Sequence, residues 1–426
     1  MPIPTTKNAK AQIEFSMALP KWLVVNTAYH EKHSAIRING TITHAAFKVV
    51  FAPVIMLSWY RTIAHCTAKQ ISATVATSRP TAMLDSHVSN KQIRRTSARV
   101  GRNILLVQGA GGNSSVKHGD ALWVKASGTW LADAADKEIF VPVSLSGARA
   151  ALAAGDERMP LASGHPESQL RASIETSLHA LMPHPVVLHV HSVNTIAWSV
   201  RSDAGDELVA RLRGLRWRRL DYHHPGLPLA QAVSKSLAQG PADILILGNH
   251  GLVVGAATCE AAYELVAEVE HRLALEPRGA ARTDGGSLHR ICAGSEYRLP
   301  QDPLCHTLGT DHHNFAIATK GSLYPDHVVF LGPALPVLSE GEDLTAKVAL
   351  TDARGYLPPV AVIVPGKGTV IRNDASAGAE AMLSCLALVT SRLPRNATIK
   401  YLTSRDEQAL LNWDAEHYRQ QMTDNR

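Results

Sequence analysis

The chain has 426 residues, of which 45% are hydrophobic and 19% charged, and its formal net charge is +6. The length excludes a single small core and sets a prior of about two to three domains, in a composition ordinary for a globular protein. The most apolar early stretch, residues 45–59, contains Lys48 and is too short to cross a bilayer.

The charge is uneven. Residues 1–100 carry 13 Lys and Arg against three acids (Glu14, Glu31, Asp85), a balance of +10, whereas the rest carries 30 against 34, or −4. The cations are scattered and form no stripe interleaved with aromatic residues, so nucleic acid is not an expected partner. The five cysteines (Cys66, Cys259, Cys292, Cys305, Cys385) form no CxxC pair and no even framework, which fits a reducing compartment and argues against a cysteine zinc site.

Residues 1–85 are rich in Thr, Ala and Ser, poor in acids, and without a sustained period. A basic, acid-poor start resembles an organellar transit peptide, but Met1-Pro2-Ile3-Pro4 does not open an amphipathic basic helix. The segment reads as a dispensable extension or the product of an upstream start codon. It is expected to be poorly ordered and to contribute nothing to the chemistry.

From about residue 86 the pattern becomes regular. A helix is expected over residues 88–100, then a strand Ile104-Leu105-Leu106-Val107 and a loop from Gly109 to Ser115. A second strand, Ala121-Leu122-Trp123-Val124-Lys125, ends at Ala126-Ser127-Gly128-Thr129, and a third covers residues 138–143 ahead of an Ala-rich helix over residues 146–154. A helix over 173–181 precedes the short apolar run Pro185-Val186-Val187-Leu188-His189-Val190-His191, which reads as a buried strand. After a helix at 204–214, the strand Ile244-Leu245-Ile246-Leu247 runs into Gly248-Asn249-His250-Gly251 and on through Val253-Val254 to a long helix over 259–275. Gly279–Gly286 is a linker by its Gly, Ala and Arg content. Beyond it a second unit is expected, with strands over 328–331 and 360–364 and helices over 377–392 and 405–421. The expected division is an extension (1–85), a catalytic domain (86–278) and a smaller C-terminal α/β domain (287–426). Strands mixed with helices in this way predict a layered α/β architecture.

On a strand the side-chain period is two, so His189 and His191 leave one face while Val190 points to the other. Two neutral imidazoles at a strand end suit a divalent metal such as zinc, or are a pair of histidines satisfied by ordinary hydrogen bonds; His250, at the end of another strand, would supply a third ligand. Three protein ligands leave a position open for substrate, the layout of a catalytic rather than a structural site. The pairs His223-His224 and His312-His313 are not assigned to metal in a chain of 21 histidines. In the helix expected over 173–181, Glu175 and His179 lie one turn apart, and Glu175 is placed for general acid-base work. The loop Gly111-Gly112-Asn113-Ser114-Ser115 and the turn Ser127-Gly128 offer close backbone approach and polar donors to an anionic oxygen, or are two ordinary tight turns.

Gly112-Asn113-Ser114-Ser115, Ala126-Ser127-Gly128, Ser173-Ile174-Glu175, His189-Val190-His191 and Asn249-His250-Gly251 occur in that order. Together, supported by Pro225-Gly226 and Leu229-Ala230, they resemble the signature of the class II aldolase/adducin family over roughly residues 90–275. The resemblance implies that His189, His191 and His250 bind a divalent metal, usually zinc, and that Glu175 is the acid-base group. It also implies that Gly112, Asn113, Ser127, Gly128 and Ser173 line a pocket for the substrate phosphate or an equivalent anion. Ala172 stands where many members have proline, which should only loosen the helix start, and no counterpart of the late catalytic tyrosine of some members can be placed. Tyr401-Leu402-Thr403 and Asn412-Trp413-Asp414-Ala415-Glu416-His417-Tyr418-Arg419 resemble the aldolase part of bifunctional rhamnulose-phosphate aldolase/dehydrogenase proteins. The chain ends where their dehydrogenase would begin, so that activity is not expected. Taken without the resemblance, this segment is a terminal amphipathic helix that docks and does nothing catalytic.

The implied function is a cytoplasmic, homo-oligomeric (tetrameric) lyase of carbohydrate metabolism. It would cleave a ketose phosphate or related hydroxy-carbonyl compound through a metal-stabilised enediolate. Epimerase, dehydratase or decarboxylase chemistry of the same family, or an adducin-like scaffold without catalysis, are the alternatives. A dinucleotide fold is disfavoured because Gly109-Ala110-Gly111 lacks the sixth-position glycine and a following crossover helix. Pro365-Gly366-Lys367-Gly368-Thr369 lacks the first glycine of a phosphate loop. Tyr324-Pro325-Asp326-His327 could reach toward the site, but reads better as a turn ahead of a strand.

Overall fold

The computed structural model describes residues 79–163, 170–352 and 358–424. The expectation that the N-terminal extension is poorly ordered falls almost wholly outside them. The first helix among the described residues, α1 (Arg79–Gly101), begins ahead of the expected boundary at residue 85. It leads into β1 (Asn113–His118), β2 (Ala121–Lys125), β3 (Phe140–Ser144), α2 (Leu145–Ala153), α3 (Thr176–Leu181), β4 (Val186–Val190), α4 (Val193–Ser199), α5 (Gly205–Arg211), β5 (Trp217–Leu220), α6 (Leu227–Ala238), β6 (Ile244–Leu247), β7 (Gly251–Ala256) and α7 (Cys259–Leu273). Then follow α8 (Gly285–Cys292), β8 (Tyr297–Arg298), α9 (Thr307–Thr310), α10 (His312–Ala318), α11 (Pro325–Leu331), α12 (Leu344–Asp352), β9 (Ala361–Val364), β10 (Gly368–Arg372), α13 (Ala377–Arg392), α14 (Ser404–Leu411) and α15 (Asp414–Asp424).

The first seven strands form one sheet in the order β3-β2-β1-β4-β7-β6-β5. Only β5 and β6 pair in parallel; the other neighbours are antiparallel. Helices cover both faces, and the period of two is visible in the packing. Val186, Leu188 and Val190 join the cluster under α1 and α7, while Val187 joins Leu178, Leu229 and Val233 on the opposite face. In β6, Ile244 and Ile246 face the first cluster, Leu245 and Leu247 the second. His189, two residues from Val187, therefore leaves on the α3 and α6 side.

The strands β8-β10-β9 form a second, smaller antiparallel sheet. It does not stand on a core of its own alone. Val193, Ile196 and Ala197 of α4, with Val200 just past its end, share one buried cluster with Leu331 of α11 and Met382, Leu386 and Val389 of α13. Trp198, fully buried, donates its Nε1–H to the Leu273 carbonyl at 2.8 Å and ties α4 to α7.

Four local expectations are corrected. Residues 104–107 form turns, not a strand: the Asn103 side chain accepts from the Leu105 N–H, and its carbonyl accepts from Leu106 and Val107. The strand instead starts at Asn113, inside the expected loop. Residues 328–331 are helical, because Pro325 at the first turn opens α11 and every residue of that helix is buried, leaving no amphipathic period to read. The single helix expected over 405–421 is two, α14 and α15, interrupted at Asn412 and Trp413.

Candidate metal and acid-base site

Strand register builds the site. Asn113, the first residue of β1, lies directly opposite His189 of the neighbouring β4. His191 stands just beyond the end of β4. His250 lies in the tight connection between β6 and β7, where Asn249 adopts a positive φ of 52° and donates from its side chain to the Leu323 and Lys400 carbonyls. The helix expected over 173–181 starts only at Thr176, so Glu175 precedes its first turn rather than lying on its face. That start aims Glu175 at the three histidines, while His179 turns to a hydrogen bond with Ser115 at 2.8 Å.

All four side chains are buried, and their ligand-type atoms lie within 4.8 Å of one another. His189 Nε2 and His191 Nε2 are 3.2 Å apart. Glu175 Oε2 is 3.3 Å from His189 Nε2, and Glu175 Oε1 is 3.3 Å from His250 Nε2. His189 Nδ1–H donates to the Leu252 carbonyl at 3.0 Å, and His191 Nδ1–H donates to Asp326 Oδ2 at 2.9 Å. Both imidazoles thus carry the proton on Nδ1 and turn an Nε2 lone pair inward. Two ring nitrogens this close hold either a shared proton or a cation between them. For ligand bonds of ~2.0–2.1 Å, tetrahedral nitrogens lie about 3.3 Å apart. Donor set and spacing fit a divalent metal.

The electrostatics agree. Burial opposes charge on Glu175, but His189, His250 and His191 around it hold its carboxyl well below the usual carboxylate range. Burial lowers His250 to about 3, so its imidazole is neutral. For His189 burial works against the proton, and the Glu175 carboxylate outweighs it and raises the group above its ordinary value.

Five further residues were expected to line an anion pocket. Asn113 Nδ2 donates to Glu175 Oε2 at 2.8 Å and holds the carboxylate, and Ser173 Oγ accepts the Glu175 N–H at 3.2 Å and holds its backbone. A bridge between Ala126 and Ala172 sets Ser127 and Gly128 beside this segment, and Ser127 Oγ is buried without a hydrogen-bond partner among the described residues. Gly112 (φ +65°) passes so close to β4 that a Cβ would lie 2.8 Å from the His189 carbonyl. A Cβ on Gly128 (φ +75°) would lie 2.3 Å from Met422 Cβ, so α15 covers this turn.

Sequence reasoning missed four groups. Lys125 ends β2 in the interior, donating to the Ala110 carbonyl at 3.0 Å; burial lowers it to about 7. Its place directly before Ala126-Ser127-Gly128 was the available signal. Asp326 overturns the reading of residues 324–327 as a mere turn, since it contacts His191. Arg419 bonds Asp326, and Glu416 accepts from Arg419 Nε at 2.6 Å, so the C-terminal helix reaches the site rather than merely docking. A cavity of about 800 Å³ lies elsewhere, lined by Phe330, Arg372, Ser376 and Glu416 among others and by none of the three histidines.

Residues 92–276 match the family model described as the Class II Aldolase and Adducin N-terminal domain, a span that contains the seven-stranded sheet and all four residues of the His/Glu cluster. The match supports the family that the ordered motifs resemble. An uncharacterized oxidoreductase of Bacillus subtilis (strain 168), YuxG, is 27% identical over 228 residues, 48% of this chain and 31% of that protein. The chain thus spans about a third of the length of this curated relative. The N-terminal class II aldolase domain of a conserved Thermoplasma acidophilum protein is 25% identical, covering 43% of this chain and 90% of that one, at a TM-score of 0.37. YgbL of Klebsiella pneumoniae, a putative aldolase/epimerase/decarboxylase by its description, is 20% identical over 43% of this chain and 88% of that one, at a TM-score of 0.31. Among the described residues no helix is long and apolar enough to cross a membrane.

Proposed function

We propose that this chain is a divalent-metal-dependent aldehyde-lyase of the class II aldolase type, reversibly cleaving a ketose phosphate or related hydroxy-carbonyl compound. The observation behind this reading is the convergence of His189, His191 and His250 with Glu175 inside the matched domain. The three histidines would hold the metal, zinc by the all-nitrogen set, with catalysis assigned to residues 86–278 and residues 287–426 forming a C-terminal domain. When bound, the metal supplies Lewis-acid stabilisation of the negative charge left when the carbon–carbon bond breaks.

This chain's own residues do the rest. Glu175, ionised at the outset, takes the proton released by the reacting hydroxyl in cleavage and delivers it to the carbanionic carbon, and it runs the same transfer backwards in the reverse direction. Asn113 holds Oε2 at 2.8 Å, and Oε1 has no hydrogen-bond partner among the described residues, which favours Oε1 as the oxygen that moves the proton. Ser127 Oγ, buried and unpaired, and the backbone at Gly112 and Gly128 are proposed to meet the substrate's phosphate or equivalent anion, with Ser173 setting the Glu175 backbone. Fixing the anion places the reacting carbon and turns binding into orientation. A rhamnulose-phosphate-type substrate, a cytoplasmic location and a tetramer belong to the same proposal.

Epimerisation, dehydration and decarboxylation use the same metal and acid-base pair, so the products must be identified and not merely substrate loss. A scaffold of the adducin kind is disfavoured because all four groups of the cluster are present. The Bacillus relative's match covers 31% of that protein, so a redox activity is no part of the proposal. The test is a screen of ketose 1-phosphates with the metal-loaded full chain, reading release of an aldehyde and a triose phosphate. Metal-dependent release supports the reading; turnover without carbon–carbon cleavage replaces the lyase with one of its relatives.

A further inference from the structure

We propose that Asp326 and Arg419, both outside the family-matched segment, are positioning residues that fix His191 as the Nδ1–H tautomer and so present its Nε2 to the metal position. This rests on the metal reading of the preceding section and extends it to the C-terminal part of the chain.

His189 and His191 are two residues apart but are held differently. His189 sits within β4, and the neighbouring strand provides the Leu252 carbonyl for its Nδ1–H. His191 lies past the strand end, and no ladder carbonyl holds its ring. What meets its Nδ1 is Asp326, 135 residues later, at 2.9 Å. Pro325 opens α11 directly after the extended Tyr324, which places Asp326 in the first helical turn and turns its carboxylate toward the histidine.

A buried carboxylate is costly unless paired. Asp326 Oδ2 takes the imidazole, and Oδ1 takes the Arg419 guanidinium from α15. Arg419 Nε in turn donates to Glu416 Oε2 at 2.6 Å. His191, Asp326, Arg419 and Glu416 are each under a tenth exposed. With the Arg419 guanidinium on Oδ1, the Asp326 carboxylate meets His191 as an acceptor, so the ring turns its N–H to it.

Gly111 adds an independent observation. A Cβ there would lie 2.7 Å from His191 Nδ1 and 3.1 Å from Asp326 Oδ2. The loop presses against this hydrogen bond, and only the missing side chain leaves room for it. Three separate segments are thus fitted around one proton.

The test combines a tautomer readout on metal-free protein with Zn2+ affinity by chelator competition, using the full chain. In [15N]histidine-labelled protein the His191 signals are assigned by their absence in His191→Gln. Asp326→Asn, close in shape, should shift His191 away from the Nδ1–H tautomer and weaken Zn2+ binding by about 10–100-fold. Arg419→Gln and Gly111→Ala should act in the same direction, and Asp326→Glu, which keeps the charge, should recover part of the loss. The His189 tautomer should not change in any of them, which separates positioning from general unfolding. Zn2+ affinity within about threefold of wild type and an unchanged His191 tautomer in Asp326→Asn would overturn the proposal and leave the metal reading intact. Wild type that binds no Zn2+ would overturn the metal reading instead, and the tautomer shift alone would then decide whether Asp326 positions His191.

Discussion

Asn113 and Glu175, 62 residues apart in sequence, meet through an Nδ2–H···Oε2 hydrogen bond of 2.8 Å in the interior. The contact exists because β1 begins at Asn113 directly opposite His189, and because α3 starts late enough to leave Glu175 pointing at the same strand. One amide thereby holds Oε2 and leaves Oε1 facing His250 Nε2 at 3.3 Å.

Glu175→Gln keeps the shape of the group but cannot accept a proton. It should lower turnover by ~10²–10⁴-fold, with bound metal and the thermal unfolding midpoint little changed. Asn113→Ala should lower turnover by about tenfold, because the carboxylate survives but loses its fixed orientation. Steady-state kinetics beside metal analysis separates the two roles. Wild-type rates in Glu175→Gln would remove the glutamate from the mechanism.

Lys125 makes the stability of the fold depend on pH in a particular direction. Burial lowers it from 10.5 to about 7 in the folded chain, with Arg419 lowering it further and Glu175 and Asp326 raising it. Between those values the unfolded chain binds the extra proton, so stability gains as pH rises from 7 toward 10.5 and is lost as pH falls through that window. Lys125→Met should therefore be more stable than wild type at pH 7, by on the order of a few kcal/mol, offset in part by the loss of the bond to Ala110. The advantage should shrink toward pH 10. Urea denaturation of metal-free protein across that range checks it, and a difference independent of pH would mean that the lysine is not buried as a neutral amine.

Gly128 is a point where α15 rests on the turn after β2. Its φ of +75° and a Cβ position 2.3 Å from Met422 Cβ make Gly128→Ala doubly unfavourable. The substitution should cost about 1–3 kcal/mol of backbone strain and lift the C-terminal helix. Hydrogen exchange should accelerate over residues 414–424 more than over β4. Unchanged protection there would show that the helix does not depend on this contact.

Much of this was legible in the sequence, for physical reasons that differ between elements. The runs ending at His189 and in Ile244-Leu245-Ile246-Leu247 are short, β-branched and bounded by turn residues, so their strands and the histidine placement could be read directly. Residues 328–331 have the same appearance, yet they are helical, because a helix buried on every side shows no period and only the preceding proline marks its start. The capping box at Thr403 and Asp406 begins α14 as a helix signal should, but nothing apolar marks its interruption at Asn412 and Trp413. Of the site, the groups that local pattern places were found: the three histidines and Glu175. Asp326 and Arg419 were not, since their contacts join positions 135 and 93 residues apart and their local sequence reads as a turn and a terminal helix.

The most direct test of the account is metal content, by plasma mass spectrometry, of the full chain and of a His189→Ala/His191→Ala double variant after incubation with Zn2+ and desalting. The account expects about one metal per wild-type chain and a near-complete loss in the variant. A wild-type chain that retains no divalent metal would contradict it and leave the converging imidazoles as a structural cluster.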